Sequence, residues 1–310
     1  MIEIIGNNPV IKYILEQIEK VAALDIAVLL SGESGTGKDL FAQLVHEKSN
    51  ASGPFIPVNT GAIAKELIAS ELFGHEKGAF TGASYMQKGK FELANGGTLF
   101  LDEISTMGME CQISLLRVLE TKRIQRVGGS REIPVDTRVV AATNESLEEL
   151  IKGGNFREDL YHRLNVFQFQ IPPLRERGDD IHVLTDYFFQ KYSKEFGKEI
   201  ATVSKDFRNS LEQYPWPGNI RELENMVMRV CITSPDGNIT PDLLPDYFRK
   251  NDKAKKEFVI PVGTSLDDTE KKLIKETLEY YGGNKSEAAE ALKISRKALY
   301  NKLEAYRLKD

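Results

Sequence analysis

Cysteine is scarce in this chain. Its 310 residues include two, Cys111 and Cys231, far apart and in no C-x-x-C spacing. That excludes a disulfide scaffold and a zinc finger, and it suits the reducing cytoplasm, where the protein is expected. The four histidines, His46, His75, His162 and His182, form no cluster with metal-ligand spacing. No apolar run is long enough to span a membrane, and the N-terminus lacks the basic-then-apolar pattern of a secretory signal, so no membrane partner is expected. Charge of one sign is missing as well. The formal net charge is −5, so the chain as a whole is no basic nucleic-acid coat, and any DNA contact must come from a local basic patch. The length allows two or three domains.

What is present is alternation. Residues 10–24 carry apolar side chains at helical spacing, and short apolar runs follow at 26–31, 55–58, 98–101 and 138–142, each flanked by helical segments. Buried runs alternating with helices predict an α/β core with a parallel sheet, over residues 1–173. Pro172 and Pro173 mark its end. Residues 174–247 read as an α-helical subdomain, broken at Pro215, Trp216, Pro217 and Gly218. Residues 248–264 are polar, rich in lysine and aperiodic, which predicts a linker. Three further helices are expected in residues 265–310.

The segment Gly32, Glu33, Ser34, Gly35, Thr36, Gly37, Lys38 fits G-x-x-x-x-G-K between a buried strand and a helix. Its glycines let backbone N–H groups line a concave nest around phosphates, the helix N-terminus adds its dipole, and Lys38 supplies a mobile cation. Asp39 stands where a magnesium-binding Ser or Thr is usual. Magnesium must then lean on water and on a carboxylate elsewhere. Asp102 and Glu103 end the apolar strand at 98–101. Asp102 can hold magnesium through water, and Glu103 can orient and deprotonate an attacking water. A bare Asp-Glu pair would read as a solvated strand end, but the phosphate loop upstream reverses that. No N-K-x-D guanine-reading motif lies in this half, so ATP is favoured over GTP. Thr143 and Asn144 end another apolar run, and the amide can reach the γ-phosphate or the attacking water.

Between these sites stands Gly78, Ala79, Phe80, Thr81, Gly82, Ala83, preceded by ESELFGHEK. Together with the GESGTGKD phosphate loop, this GAFTGA sequence resembles the sigma-54-dependent activators, the bacterial enhancer-binding proteins of the AAA+ class. In that family an acidic residue commonly follows the phosphate-loop lysine, so Asp39 is regular. The resemblance implies an AAA+ ATPase core, an α-helical lid and a surface loop, residues 78–83, that engages sigma-54 RNA polymerase when ATP is bound. Further matches are positional. Asn59 falls where the family restrains the catalytic glutamate. Thr143 and Asn144 resemble sensor I. Arg157 and Arg163, in FREDLYHRLNV, resemble arginines offered to the neighbouring subunit's nucleotide, and Arg221, in WPGNIRELEN, resembles sensor II. The implied assembly is a homo-oligomeric ring, a hexamer or heptamer built from dimers. Residue 1 leads almost directly into the ATPase segment. The family's N-terminal regulatory domain is therefore expected either to have been removed or to act in trans.

Residues 284–309 hold seven Lys/Arg against three acids, the local patch that the global charge concealed. Two short helices around a tight turn, the second capped by Ser295, predict a helix-turn-helix with Ala288, Ala289, Leu292, Ile294, Leu299 and Leu303 as its core. Arg296, Lys297, Tyr300, Asn301 and Lys302 are expected to face outward, and with Lys285 they are the candidate DNA contacts. The segment resembles the Fis-type helix-turn-helix of the same family, which implies enhancer DNA as a partner. On the helix before it, Leu273, Ile274, Leu278 and Tyr281 form a stripe wider than a short helix-turn-helix needs to cover. That predicts a dimer on an inverted repeat. Two rivals stand beside this reading. A DNA-binding regulator with a vestigial ATPase is disfavoured by the intact acids and GAFTGA loop, and an unfoldase would not need a terminal DNA reader.

Overall fold

The computed structural model describes residues 2–245, 248, 260–261, 263–281 and 283–306. They fall into two compact units, divided after Leu244.

The first unit is built on a parallel sheet of β1 (Val28–Ser31), β2 (Phe55–Asn59), β3 (Thr98–Asp102), β4 (Arg138–Thr143) and β5 (Phe167–Gln170). Its spatial order is β2-β3-β4-β1-β5. Alternate residues go to opposite faces. Leu29, Leu101, Val139 and Ala141 pack into one core, and Leu30, Phe100, Val140 and Ala142 into the other. In the inner strands β1, β3 and β4 both faces are buried, which is why they read as unbroken apolar runs. The four strands expected from the sequence are present. The fifth, β5, escaped because FQFQ alternates apolar and polar, the pattern of a half-covered edge strand.

The helices follow from capping and patterning. In α1 (Pro9–Ala22), the Asn8 side chain accepts from the Val10 N–H, and Pro9 supplies the restricted φ of a first turn. The C-terminal end of α1 is closed by Arg138, whose buried guanidinium donates to the carbonyls of Val21 (3.1 Å), Ala22 (2.6 Å) and Ile26 (3.1 Å). After the phosphate loop come α2 (Lys38–Glu47), α3 (Lys65–Phe73), α4 (Met109–Thr121) and α5 (Glu158–Leu164). The helical subdomain consists of α6 (Asp180–Phe196), α7 (Lys205–Gln213) and α8 (Asn219–Thr233). Between α7 and α8, Trp216 is fully buried and its indole N–H donates to the Leu211 carbonyl at 2.8 Å. Trp216 and Asn219 both have left-handed φ, +52° and +53°, a conformation that non-glycine residues keep only when their surroundings enforce it.

The second unit contains α9 (Leu266–Tyr280), α10 (Lys285–Ala291) and α11 (Arg296–Ala305), capped by Ser265, Asn284 and Ser295. Ile274, Ala288, Ala289, Leu299 and Leu303 are its core, with Leu278, Tyr281, Leu292, Ile294 and Tyr306 packed against it. This corrects the expectation of a spare apolar stripe. Ile274, Leu278 and Tyr281 are used by the unit's own core, and of that stripe only Leu273 stays exposed, at 40%. The expected linker, 248–264, lies outside the described residues apart from 248, 260–261 and 263–264.

Candidate nucleotide site and output loop

The phosphate loop leaves the C-terminal end of β1, the end of the strands at which ligands bind in open α/β sheets. Gly35 has φ +78°, and a side chain there would strike the Gly218 carbonyl, so glycine is required twice over. Gly37, φ +91°, opens α2. Lys38 is buried, and its ammonium donates to the carbonyls of Gly32 (2.8 Å) and Glu33 (2.9 Å). Burial pushes its pKa below the ordinary lysine value, while the charges of Asp102 and Glu103 pull the other way. A desolvated ammonium in a nest of N–H groups is built for an anion.

Asp102 ends β3, and one carboxylate oxygen accepts from the Glu103 N–H at 3.0 Å. Glu103 itself is left-handed, φ +56°. Two hydroxyls fix its backbone: that of Thr60, which lies 2.9 Å from the Asp102 carbonyl and 2.7 Å from that of Glu103, and that of Thr106, 2.9 Å from the Glu103 carbonyl. A side chain on Gly61 would collide with the Glu103 carboxylate. Thr60, Thr106 and Gly61 were missed at the sequence level, since nothing in TGAI or EIST marks them. Asn59 differs from expectation. Its amide N–H meets Asp102 at 3.5 Å rather than Glu103, because its oxygen is already committed to capping the turn at the Ala62 N–H (3.0 Å). Thr143 accepts the Gly32 N–H at its carbonyl (3.2 Å), which brings the end of β4 to the phosphate loop. Asn144 is exposed beside it, on a cleft of about 400 Å³ shared with Gly32, Glu33, Gln168 and Gln170.

The helical subdomain docks on the same loop. The N–H groups of Ile220 (2.9 Å) and Arg221 (3.3 Å) donate to the Gly35 carbonyl, and the Arg221 guanidinium reaches the Ser34 hydroxyl at 3.4 Å. Asn219, fully buried, donates to the Glu33 carboxylate (3.1 Å) and the Ser34 carbonyl (3.0 Å) and accepts from the Leu174 N–H (2.8 Å). Arg175 clamps Glu33 with two bonds, 2.9 and 2.6 Å, and this pairing holds the carboxyl below the usual glutamate range. Glu33 therefore belongs to the lid contact. Between loop and lid lies a cavity of about 440 Å³, with Ile4, Ile5, Leu40, Leu184 and Ile220 on its apolar side and Thr36, Asp39 and Arg221 on its polar side. The N-terminal wall is pinned by the buried Arg177–Asp180 pair (3.0 Å): Asp180 accepts from the N–H groups of Asn7 and Asn8, and Arg177 donates to the Ile5 carbonyl.

Arg157 and Arg163 are not brought to this cavity. Arg157 pairs with Asp159 (2.6 Å), and Arg163 donates to the Leu119 carbonyl (3.0 Å). The GAFTGA segment is a closed surface turn. The Gly78 N–H donates to the Ala83 carbonyl (2.8 Å) and the Ala83 N–H to that of Phe80 (3.0 Å), with Gly78 and Gly82 left-handed at +82° and +107°. Ala79 rests on Gly128 and Ala83 is buried, while Phe80, Thr81 and Gly82 are exposed.

In the second unit, Arg296, Lys297, Tyr300 and Asn301 are exposed on α11 as expected. Lys302 is a correction: it is half-buried and paired with Glu270 of α9 at 2.6 Å, which turns its charge inward. The Lys285 ammonium lies 5.2 Å from the centre of the Tyr300 ring.

Among the described residues, no helix is long and apolar enough to cross a membrane, and no group of three or more acidic, histidine or cysteine side chains could hold a metal ion.

Comparison with known proteins matches this geometry. The profile described as "Sigma-54 interaction domain" covers residues 4–170, "AAA+ ATPase lid domain" residues 175–259, and "Bacterial regulatory protein, Fis family" residues 265–306. The nitrogen fixation protein AnfA of Azotobacter vinelandii is 43% identical over 98% of this chain and 57% of its own length. The regulatory protein AtoC of Escherichia coli K12 is 44% identical over 98% of this chain and 67% of its own. The chain thus spans less than two thirds of AnfA. The crystal structure of NtrX from Brucella abortus in complex with ADP superposes with a TM-score of 0.75 at 34% identity, covering 99% of this chain and 70% of that one. The chain therefore belongs to the sigma-54-dependent transcriptional activators, with an AAA+ ATPase domain, its lid and a Fis-type helix-turn-helix.

Proposed function

We propose that this protein hydrolyses ATP between the subunits of a homo-oligomeric ring and uses the cycle to remodel the closed complex of sigma-54 RNA polymerase. The base and sugar occupy the apolar side of the cavity between lid and phosphate loop, and the phosphates occupy the nest formed by residues 32–38, with Lys38 and Arg221 as cations. Glu103 is the general base for water, Asn144 lies within reach of the γ-phosphate, and Asn59 positions the acid pair through Asp102. Arg157, half-buried, and Arg163, exposed, lie outside the cavity of their own chain and act on a neighbour's nucleotide. Asp102, at the end of β3, would hold a magnesium ion through water. Such an ion would neutralise phosphate charge.

One observation carries the coupling. Residues 59–83 form a continuous segment whose start, Asn59 and Thr60, bonds to Asp102 and Glu103. The segment then runs through α3 and ends at the GAFTGA turn. A change at the catalytic acids therefore has a short, helical path to Phe80 and Thr81. Enhancer DNA is held by α11 through Arg296, Lys297, Tyr300 and Asn301. Useful affinity for a short half-site needs two copies on an inverted repeat.

The coupling is tested with Thr81→Ala, which lies outside the phosphate site. It should keep ATPase turnover and lose transcription from a sigma-54 promoter at saturating ATP. Normal transcription by this variant would remove the GAFTGA turn from the mechanism.

A further inference from the structure

Two residues beyond GAFTGA, Tyr85 is 68% exposed and Met86 is 45% exposed, both more than Phe80 at 39%. A tyrosine and a methionine standing in water on a structured surface cost solvation free energy unless a partner covers them. Their placement is built. His75, only 7% exposed, has its ring centre 5.1 Å from that of Phe80, edge to face, and 6.5 Å from that of Tyr85. The imidazole is fixed from below, where Nδ1 is 2.8 Å from the Ser70 hydroxyl on α3. The backbone is fixed as well, because Gly74 and His75 pair antiparallel with Lys88 and Gln87. One buried ring, two residues past the end of α3, thus holds two aromatic side chains, one within the GAFTGA turn and one just after it. Exposed Lys77 and Lys88 flank them in the chain.

Resting on the reading of residues 78–83 as the polymerase-contacting turn, we infer that Tyr85, with Met86 beside it, is a second anchor of the sigma-54 interface. It is set with Phe80 on the His75 platform to grip an apolar segment of sigma-54 with acidic flanks. The surface is continuous with the turn, and the basic rim selects the charge of the partner. Tyrosine suits this role, since it offers a large rigid contact area with two side-chain torsions.

The test uses the full chain and purified sigma-54, with the activator held by ADP and aluminium fluoride as a mimic of the transferring phosphoryl group. Binding of fluorescently labelled sigma-54 is titrated for the parent, Phe80→Ala, Tyr85→Ala, Tyr85→Ser and Tyr85→Phe proteins. ATPase turnover and sedimentation are recorded for each. The expected result is a loss of affinity of ~10-fold or more for Tyr85→Ala and Tyr85→Ser, near-parent affinity for Tyr85→Phe, and unchanged ATPase and assembly in all three. Parent affinity in both Tyr85→Ala and Tyr85→Ser, with Phe80→Ala defective, overturns the inference and leaves the turn's role standing. Parent affinity in Phe80→Ala as well overturns both. Loss of assembly in the Tyr85 variants assigns the residue to contacts between copies of the chain and likewise overturns the inference.

Discussion

Glu103 is the proposed general base, and its backbone is where the local rules are broken. A left-handed glutamate at a strand end is uncommon, and here two threonine hydroxyls and the bare Cα of Gly61 enforce it. Replacing the carboxylate by an amide removes the base and little else. Glu103→Gln should bind ATP normally and hydrolyse it ~10²–10⁴-fold more slowly. Lys38→Ala, by contrast, should fail to bind, since the nest loses the ammonium that faces the phosphates. Nucleotide titration beside a turnover assay separates the two, and near-normal turnover in Glu103→Gln would remove its assignment. The cysteines mark the other extreme. Burial pushes the Cys111 thiol up to about 12 and that of Cys231 to about 11. A thiol is reactive only as thiolate, so at pH 8 both should resist alkylation in the native protein and label readily in denaturant. Mass spectrometry of the alkylated protein reads this directly, and rapid native labelling would show that these residues are less buried than described.

At the level of elements, the lid is held to the phosphate loop by a small polar set. Glu33, Arg175 and Asn219 form its centre, with Asn219 strained, fully buried and bonded to both the phosphate loop and the Leu174 N–H. Asn219→Ala removes these bonds and leaves the Leu174 N–H unsatisfied. Loss of a buried partner of this kind costs about 1–3 kcal/mol. The expected outcome is ATP affinity weakened by about 5- to 150-fold with the isolated helix-turn-helix unaffected; unchanged nucleotide affinity would show that the docking is incidental. The Glu33 contact also has a pH sign. Its folded pKa is depressed, so the contribution is present above the ordinary glutamate value of 4.5 and fades as pH falls through the lower, folded value.

Elements also explain what the sequence disclosed. Strands buried on both faces are unbroken apolar runs and were legible, as were the phosphate loop, the acid pair and the Ser295 cap of the last helix. The edge strand β5 hid behind its glutamines. The lid contact hid because Glu33, Arg175 and Asn219 are far apart in the chain, and no local pattern marks an asparagine that bonds to both the phosphate loop and the Leu174 N–H. Lys302 was misplaced for a related reason: α11 presents it at a register that looks outward, but Glu270 on α9 draws it in. It should therefore contribute less to DNA affinity than Arg296, which lies exposed in the first turn of α11. Arg296→Ala should cost ~1–3 kcal/mol in specific binding if it touches a base, and titration of an enhancer fragment at fixed salt reads the difference.

The whole molecule poses the question of assembly. Within one chain, Arg157 and Arg163 do not line the cavity between lid and phosphate loop, so the proposed action of both on nucleotide calls for a neighbouring subunit. ATPase activity per subunit should rise steeply with protein concentration. Mixing Arg163→Ala with Glu103→Gln should restore activity at hybrid interfaces, and turnover independent of concentration would exclude a shared site. The most direct test of the central claim is promoter opening by sigma-54 RNA polymerase on a template carrying the enhancer, probed by permanganate reactivity of unpaired thymines. With ATP the protein should open the promoter, and with a non-hydrolysable ATP analogue the complex should stay closed. Opening with the analogue, or no opening with ATP at a protein concentration where ATPase activity is full, would contradict the account.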